Sequence, residues 1–399
     1  MGKKIKVNAA GCSLVDNLYT NVDFSSAYYT QLLSKKPGDG GLTTGGLVFA
    51  ESLVKFAAET TGENRNYPEI LFRLTGKDKP DSSNIGGPGI VPLIHAHQVR
   101  RSPDIQYRFA GVLGRDSNAG QFKRLIKKTG FPLDDFSISD FPTPSTDVLS
   151  NPDFDGGKGE RTFINTIGAA GNYTEESLPN DFFDADILLF GGTALVPSLH
   201  DNLDKLCEKG KNSGAFIIVN TVYDFRNEAV LKGKPWPLVK NYSNIDLLIT
   251  DREEALKISG EKSAENALEW FLGKGCGSVI ITRGAENVLL KVKSGKFLPL
   301  EISSMPTSRY ADKVVSELTA EHDTTGCGDN FVGGVLDSVA HQLTENRKIN
   351  LKEAVISGVA AGSITLTCLG GVYYEKTPGE KYYAMKPYFN AYRRELEGL

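Results

Sequence analysis

Four short apolar runs constrain this chain more than any other feature. They are "DILLFGG" (Asp186 to Gly192), "GAFIIVN" (Gly214 to Asn220), "IDLLIT" (Ile245 to Thr250) and "SVIITRG" (Ser278 to Gly284). Each is rich in Ile, Val and Leu and closes on a polar residue or glycine. Such runs suit strands buried on both faces of a parallel sheet. Amphipathic stretches lie between them, among them "LHDNLDKLCEKGKNSG" and "AENALEWFLGKG". This alternation predicts an α/β layered fold with a mostly parallel sheet. Ligands of such sheets bind beyond the strand carboxyl ends. Asn220, Asp251, Glu254 and Thr282 are polar residues expected there.

The 399 residues suffice for one large domain, and no linker composition divides them. Lys and Arg number 45 against 49 Asp and Glu, a formal charge of -4. That near balance argues against a nucleic-acid binder, which shows a basic stripe. The cysteines (Cys12, Cys207, Cys276, Cys327 and Cys368) are odd in number and lack CxxC spacing. They indicate neither a disulfide framework nor a zinc site. The histidines form no HExxH-type cluster. "MGKKIKVNAAG" enters a strand pattern without a signal-peptide run or a myristoylation serine. No apolar run reaches membrane-spanning length. The expectation is a cytoplasmic protein with no membrane or nucleic-acid partner, in which the glycosylation patterns at Asn172 and Asn241 are accidental.

Two regions break the alternation. "PSTDVLSNPDFDGGKGERTFINTIGAAG" has strand-like flanks around a turn-rich centre and predicts a β-hairpin that could act as a lid. Residues 30–82 form a polar, glycine-rich connection. Its one helical piece is "GLVFAESLVKFAAE", in which Leu47, Phe49, Leu53, Phe56 and Ala57 share a face.

The stretch "HDTTGCGDNFVGG" (residues 322–334) poses the chemical question. Beyond Gly328, Val332, Val335, Leu336, Val339 and Leu343 recur at helical spacing, so Asp329 sits in a first helical turn. A helix start offers unpaired N–H groups and a positive dipole end. Gly326 and Gly328 let the amides around Cys327 approach an anion closely, as in a phosphate cradle. A carboxylate beside a phosphate is repulsive unless it orients or accepts the proton of an attacking hydroxyl. The helix start is expected to favour its ionised form. On its own, Asp323 or Asp329 could equally be a plain helix cap.

Companion features point the same way. "DLLITDREEA" places Asp251 and Glu254 three apart at a strand–helix junction, where they could hold hydrated Mg2+ or merely favour the helix N-terminus. "ITRGAENVLL" ends a strand with Thr282 and Gly284, which suit nucleotide phosphates or a simple turn. Asp16 in "AAGCSLVDNLY" could pair with substrate hydroxyls or serve as a turn residue. In "SSNIGGPGIVP", Gly86, Gly87 and Gly89 permit close backbone approach, in a tight loop that also contains Pro88.

Together these residues resemble the ribokinase-like, or PfkB, family of carbohydrate and nucleoside kinases. "DTTGCGD" is similar to its signature DTxGxGD. The order of an early Asp16, a GG loop, "GVLGRDSNAGQFKRLIKKTG", "GERTFINTIGAA", "DREE", "TRG" and the signature matches over nearly the whole chain. The Asp16-to-Gly86 separation looks more like the adenosine-kinase-like branch. The resemblance implies a three-layer α/β/α sandwich with a small β lid, drawn from residues 12–30, 100–115 and 145–168, and ATP with Mg2+. It implies Asp329 as base and the amides of Gly326, Cys327, Gly328 and Asp329 as anion hole. Asp16, Gly86 and Gly87 would hold substrate hydroxyls; Thr282, Gly284, Thr324 and Asp251 would line the nucleotide site; Glu254 with Asp251 would organise the metal. The chain departs from the pattern at Asp251, where Asn is usual, and over Pro88–Pro92, where a substrate-binding Asn is usual. His322 stands in place of an apolar residue. "SRYADKVVSELTAEHD" ahead of the signature is expected as a modified strand and loop.

The expected reaction is γ-phosphoryl transfer from MgATP to a hydroxymethyl group of a sugar or nucleoside. The alternative is a weak or silent sugar- or nucleoside-binding protein on the same fold. No GxGxxG follows the first strand and no GK precedes Ser or Thr, which disfavours dinucleotide and P-loop enzymes. An exposed lid edge could pair with a second copy as a homodimer.

Overall fold

Strand β1 (Ile5–Gly11) is enclosed from Val7 onward because it lies inside a nine-stranded sheet. The computed structural model describes residues 4–36, 38–157, 159–318 and 324–398. β1 runs parallel to β5 (Ile105–Leu113), which in turn pairs with the short β6 (Phe136–Ile138). On its other side come β9 (Ile187–Gly191), β10 (Phe216–Asn220), β11 (Leu247–Asp251) and β12 (Ser278–Thr282), each parallel to its neighbour. These last four are the apolar runs, now adjacent in space in their chain order. β13 (Val288–Val292) and β14 (Leu300–Met305) close that edge in antiparallel fashion.

Alternate residues of these strands feed two cores. One packs Val7, Ile218, Ile249 and Ile280 against Val335, Leu336 and Val355. The other packs Leu188, Ile217, Leu248 and Val279 against Leu203, Leu206 and Phe271. The helices Cys327–Thr344 and Leu351–Thr365 thus cover one face, and Leu203–Asn212 and Ala264–Gly273 the other. The result is a three-layer α/β/α sandwich.

A second sheet has the order β3 (Leu47–Phe49), β8 (Glu160–Thr166), β7 (Ser145–Asn151), β2 (Leu14–Tyr19), β4 (Ser82–Gly86). β7 and β8 form the antiparallel hairpin around "NPDFDGGKG". One face of this sheet has its own core, with Tyr19, Val48, Leu149 and Ile164 packed on Leu53, Phe56, Ile70 and Leu74. The latter belong to the helices Ala50–Thr61 and Tyr67–Thr75. By strand alternation, Asp16, Thr146, Arg161 and Asn165 face the other way.

Three expectations are corrected. Residues 100–115 do not join the small sheet: Phe109 to Leu113 are buried beside β1, and β5 completes the large one. Leu47 and Phe49 do not share a helical face with Leu53, Phe56 and Ala57. The β-prone "LVF" pairs with the open edge of β8, and the helix starts at Ala50. Among its described residues, which end at Leu318, the polar stretch before the signature holds no strand. It contains the helix Arg309–Ser316, capped by the Ser308 hydroxyl and packed through Ala311 near Tyr388. Among the described residues, no helix is long and apolar enough to cross a membrane.

Candidate active site

The parallel strands β1, β9, β10, β11 and β12 end on one edge of the sheet, at Gly11, Gly191, Asn220, Asp251 and Thr282. At roughly 4.8 Å per strand this row is about 19 Å long. The Gly86–Gly87 turn lies over its β1 end. Gly87 has φ of +114°, and a Cβ there would meet the Cys12 carbonyl oxygen at 2.5 Å. A Cβ on Gly86 would meet Asp16 Oδ2 at 2.1 Å. Bare backbone therefore lets this turn settle against Asp16. Beyond it the Pro88 carbonyl accepts a hydrogen bond from Asn220 Nδ2 at 3.3 Å, and the helix Ile90–Val99 begins.

The start of the helix Cys327–Thr344 is built on Gly326, whose φ is +76°. A Cβ there would meet Gly371 Cα at 2.3 Å, so only glycine fits. The Cys327 N–H donates to the Thr324 carbonyl at 3.2 Å, and the first helical bond runs from the Asn330 N–H to Gly326 O at 2.9 Å. The Cys327 amide thus closes the turn. Those of Gly328 and Asp329 have no acceptor within the helix. A Cβ on Gly328 would meet nothing within 4 Å, so this side of the cradle is open. Thr324 is exposed at its rim. Asp323 and His322 lie outside the described residues.

Asp329 is half-buried, and burial pushes its carboxyl up to about 7. This corrects the expectation of a favoured ionised form. A helix N-terminus is worth about 0.3–1 kcal/mol to an anion. A rise from 3.8 to about 7 corresponds to ~4 kcal/mol. Desolvation wins. The other acids stand near Asp329. The buried Cys12 thiol is raised first by burial, then by the charges of Asp329 and Asp16. Glu254 is raised by burial, then by Asp251, with a further contribution from Asp329. Asp329 therefore lies within electrostatic reach of Glu254, and both Asp329 and Asp16 within reach of Cys12.

Asp251 Oδ1 accepts the Glu254 N–H at 2.8 Å and caps the helix Arg252–Ser259. Burial holds its own carboxyl up as well. Glu254 is buried and accepts from the Thr221 hydroxyl, which lies 2.8 Å from the Thr250 hydroxyl. Among the described residues no group of three or more His, Cys, Asp and Glu forms a metal cage. Two carboxylates at one strand–helix junction fit a hydrated Mg2+ that takes its remaining ligands from water and phosphate.

Thr282 pairs with Asp251 across the β12–β11 ladder, and its Oγ1 lies 3.5 Å from the Thr250 carbonyl. Gly284 occupies the turn into β13 with φ of +61°. Its glycine is accounted for by that turn. Sequence reasoning missed Arg161. From β8 its Nη1 donates to Thr325 Oγ1 at 2.8 Å, placing a guanidinium of the small sheet on the cradle loop. It also passed over Thr221 and Asn330. The strand parity of "GERTF" could have marked Arg161 as facing the cleft.

A family model described as pfkB family carbohydrate kinase matches residues 82–377. Aminoimidazole riboside kinase of Salmonella typhimurium is 25% identical over 272 residues, covering 66% of this chain and 77% of that protein. Cytidine kinase of Thermococcus kodakarensis is 27% identical over 190 residues, covering 47% and 60%. Adenosine kinase from Sinorhizobium meliloti superposes with a TM-score of 0.66 at 18% identity, covering 96% of this chain and 99% of that one. Ribokinase from Thermotoga maritima gives 0.61 at 20% identity over the same shares.

Proposed function

The chain belongs to the pfkB family of carbohydrate kinases and is a sugar or nucleoside kinase, and from that premise we propose that it moves the γ-phosphoryl group of MgATP to a hydroxymethyl group. The observation that supports this reading is the open helix start: Gly326 turns the chain at φ of +76°, Asp329 lies in the first helical turn, and nothing stands within 4 Å of a Cβ on Gly328. A base there, with Asp16 on the acceptor side and Glu254 on the metal side, is the arrangement the reading needs.

Asp16 binds acceptor hydroxyls, and the Gly86–Gly87 turn shapes the wall beside it. Asp329 accepts a hydrogen bond from the attacking hydroxyl and takes its proton as the new P–O bond forms and the bond to ADP breaks. A raised carboxyl suits this role, since it releases the proton again near neutral pH. The Gly328 and Asp329 amides receive the transferring group, with Cys327 and Gly326 holding their turn. Thr282, Gly284, Thr324 and Asp251 border the nucleotide. Glu254, with Asp251, would hold Mg2+ through water; the ion would offset the charge of the phosphates. Arg161 adds a cation from the small sheet and helps exclude water. The reading includes a cytoplasmic location. It also includes a homodimer through an edge of the small sheet, because helices already cover one of its faces. Light scattering tests this, and a mass near 43.3 kDa would remove it.

A panel of sugars and nucleosides at fixed MgATP, followed by ADP formation, tests the reaction. One or more acceptors should give ADP and phosphorylated product in equal amounts. Thermal stabilisation by an acceptor without ADP release would instead support a silent binding protein.

A further inference from the structure

Behind the helix start lies a buried polar cluster that the reaction above leaves without a task. Asn330 is fully buried next to Asp329. Its Nδ2 donates to Gly326 O at 2.8 Å and to Gly371 O at 2.7 Å. Its Oδ1 accepts from Lys381 Nζ at 2.9 Å and lies 2.8 Å from His95 Nδ1. With Nδ2 committed to two carbonyls, Oδ1 can only accept, so His95 carries its proton on Nδ1. The buried Nε2 is then a lone pair without a hydrogen-bond partner among the described residues, and burial keeps this imidazole neutral.

Lys381 belongs to the C-terminal helix Glu380–Glu397 and is 1% exposed. Its other acceptor is Gln98 Oε1 at 3.2 Å. Both acceptors are neutral amide oxygens. Burial pushes this ammonium down to about 7, while Cys368 and Glu375 act in the opposite direction. Glu380, at the start of the same helix, is engaged by Tyr373. A buried charge among neutral partners is a poor source of stability, and an apolar side chain of similar volume fills such a place at lower cost. The ammonium supplies direction: it fixes Asn330 with its amide toward the two loops. The second loop is also tied to the acceptor side. Asn84 Nδ2 donates to Leu369 O at 3.1 Å, and Tyr374 donates to Asn84 Oδ1 at 2.6 Å, on β4 just before Gly86.

We infer that Lys381 is a positioning residue for phosphoryl transfer: through Asn330 it straps the Gly326 and Gly371 carbonyls together and so fixes where the Gly328 and Asp329 amides and the Asp329 carboxyl point. The inference rests on the kinase reading above. It gives the C-terminal helix a role in chemistry that it never touches.

Lys381→Met and Lys381→Ala test it, with Lys381→Gln added should either fail to fold. The readouts are kcat, both KM values, melting temperature, and MgADP affinity with and without orthovanadate. Lys381→Met should lower kcat by about 10–100-fold through loosened alignment, with both KM values near wild type. It should keep its affinity for MgADP alone and lose the gain that orthovanadate brings. Added ethylammonium should restore part of kcat to Lys381→Ala, which a merely structural loss would not allow. A folded Lys381→Met with wild-type kcat and wild-type orthovanadate response overturns the inference. If the wild-type chain forms no ADP with any acceptor, the kinase reading fails instead. The orthovanadate comparison then still decides the role of Lys381, and equal responses in both chains overturn it.

Discussion

Two opposed influences meet on the Asp329 carboxyl: the helix end favours its charge and burial opposes it, and burial prevails. A base that ionises near 7 makes turnover sensitive to pH on the acid side. Activity with a saturating acceptor should fall as pH drops below about 7, because the protonated carboxyl cannot take the hydroxyl proton. A pH–rate profile flat down to pH 5 would remove Asp329 as base. Stability should run the other way. The folded-state value lies above the ordinary 3.8, so the native chain holds this proton more tightly than the unfolded one. That stabilisation is complete below about pH 4 and is lost as pH rises through about 7. Asp329→Asn should therefore lower kcat by about 10²–10⁴-fold, leave MgADP binding unchanged in calorimetry, and melt higher than wild type at pH 8. Asp251→Asn poses a gentler question. Asn caps a helix as well as Asp, so stability should stay within about 0.5 kcal/mol. Loss of one negative charge should raise the Mg2+ concentration needed for half-maximal rate. Glu254 and Asp329 were legible in the sequence because each opens a helix just past a strand end or a glycine turn, whereas Asp16 stood out as a residue soon after the first strand and lies within β2. Arg161 offered only the parity of its strand, Asn330 is a single polar residue in a helix, and Thr221 stands one residue past β10 with no pattern of its own.

At the scale of elements, legibility followed burial on both faces. β9 to β12 announce themselves because no alternation is needed where each side is covered. β3 failed because "LVF" borders a true helix, and the edge of β8 decides its state. The helix Arg309–Ser316 failed because its apolar contacts lie with a C-terminal helix far along the chain. The cradle offers a matched test of local geometry. Gly326 sits at φ of +76° with Gly371 Cα 2.3 Å from a would-be Cβ, whereas Gly328 faces open space. Gly326→Ala should destabilise by about 2–3 kcal/mol through strain and overlap. Gly328→Ala should leave stability unchanged or raise it by up to about 1 kcal/mol, as alanine favours helix. Yet its methyl group would stand where the phosphoryl oxygens approach, and kcat should fall at least about tenfold. Thermal melts beside steady-state rates separate the two. Equal destabilisation by both substitutions would contradict the open cradle.

For the whole molecule, the proposed reaction requires the small sheet to meet the large one over the helix start. The sheets are joined through the short links from β1 to β2 and from β6 to β7, and the Gly86–Gly87 turn leads from β4 into the helix Ile90–Val99. Side-chain ties from the small sheet toward the cradle include those of Asn84 to the 369–374 loop and of Arg161 to Thr325. Arg161 differs from the rest because its partner lies on the turn that presents the Gly328 and Asp329 amides. A hydrogen bond from a charged group adds at most about 1.5–3 kcal/mol, and Arg161 is only half-buried, so Arg161→Ala should lower the melting temperature only modestly. Its chemical effect should be larger. Without the guanidinium the small sheet loses a direct hold on the loop beside the phosphates, and closure no longer completes the water-free site. Transfer should then slow by about 10–100-fold, and water should compete with the acceptor. The discriminating measurement is the ratio of ADP released to acceptor phosphorylated. It should be near one in wild type and rise in Arg161→Ala as ATP is spent on hydrolysis. A slower variant that keeps the wild-type ratio would make Arg161 an electrostatic aid with no part in closure. A variant with wild-type rate and ratio would mean that the small sheet closes without the hold of Arg161 on Thr325.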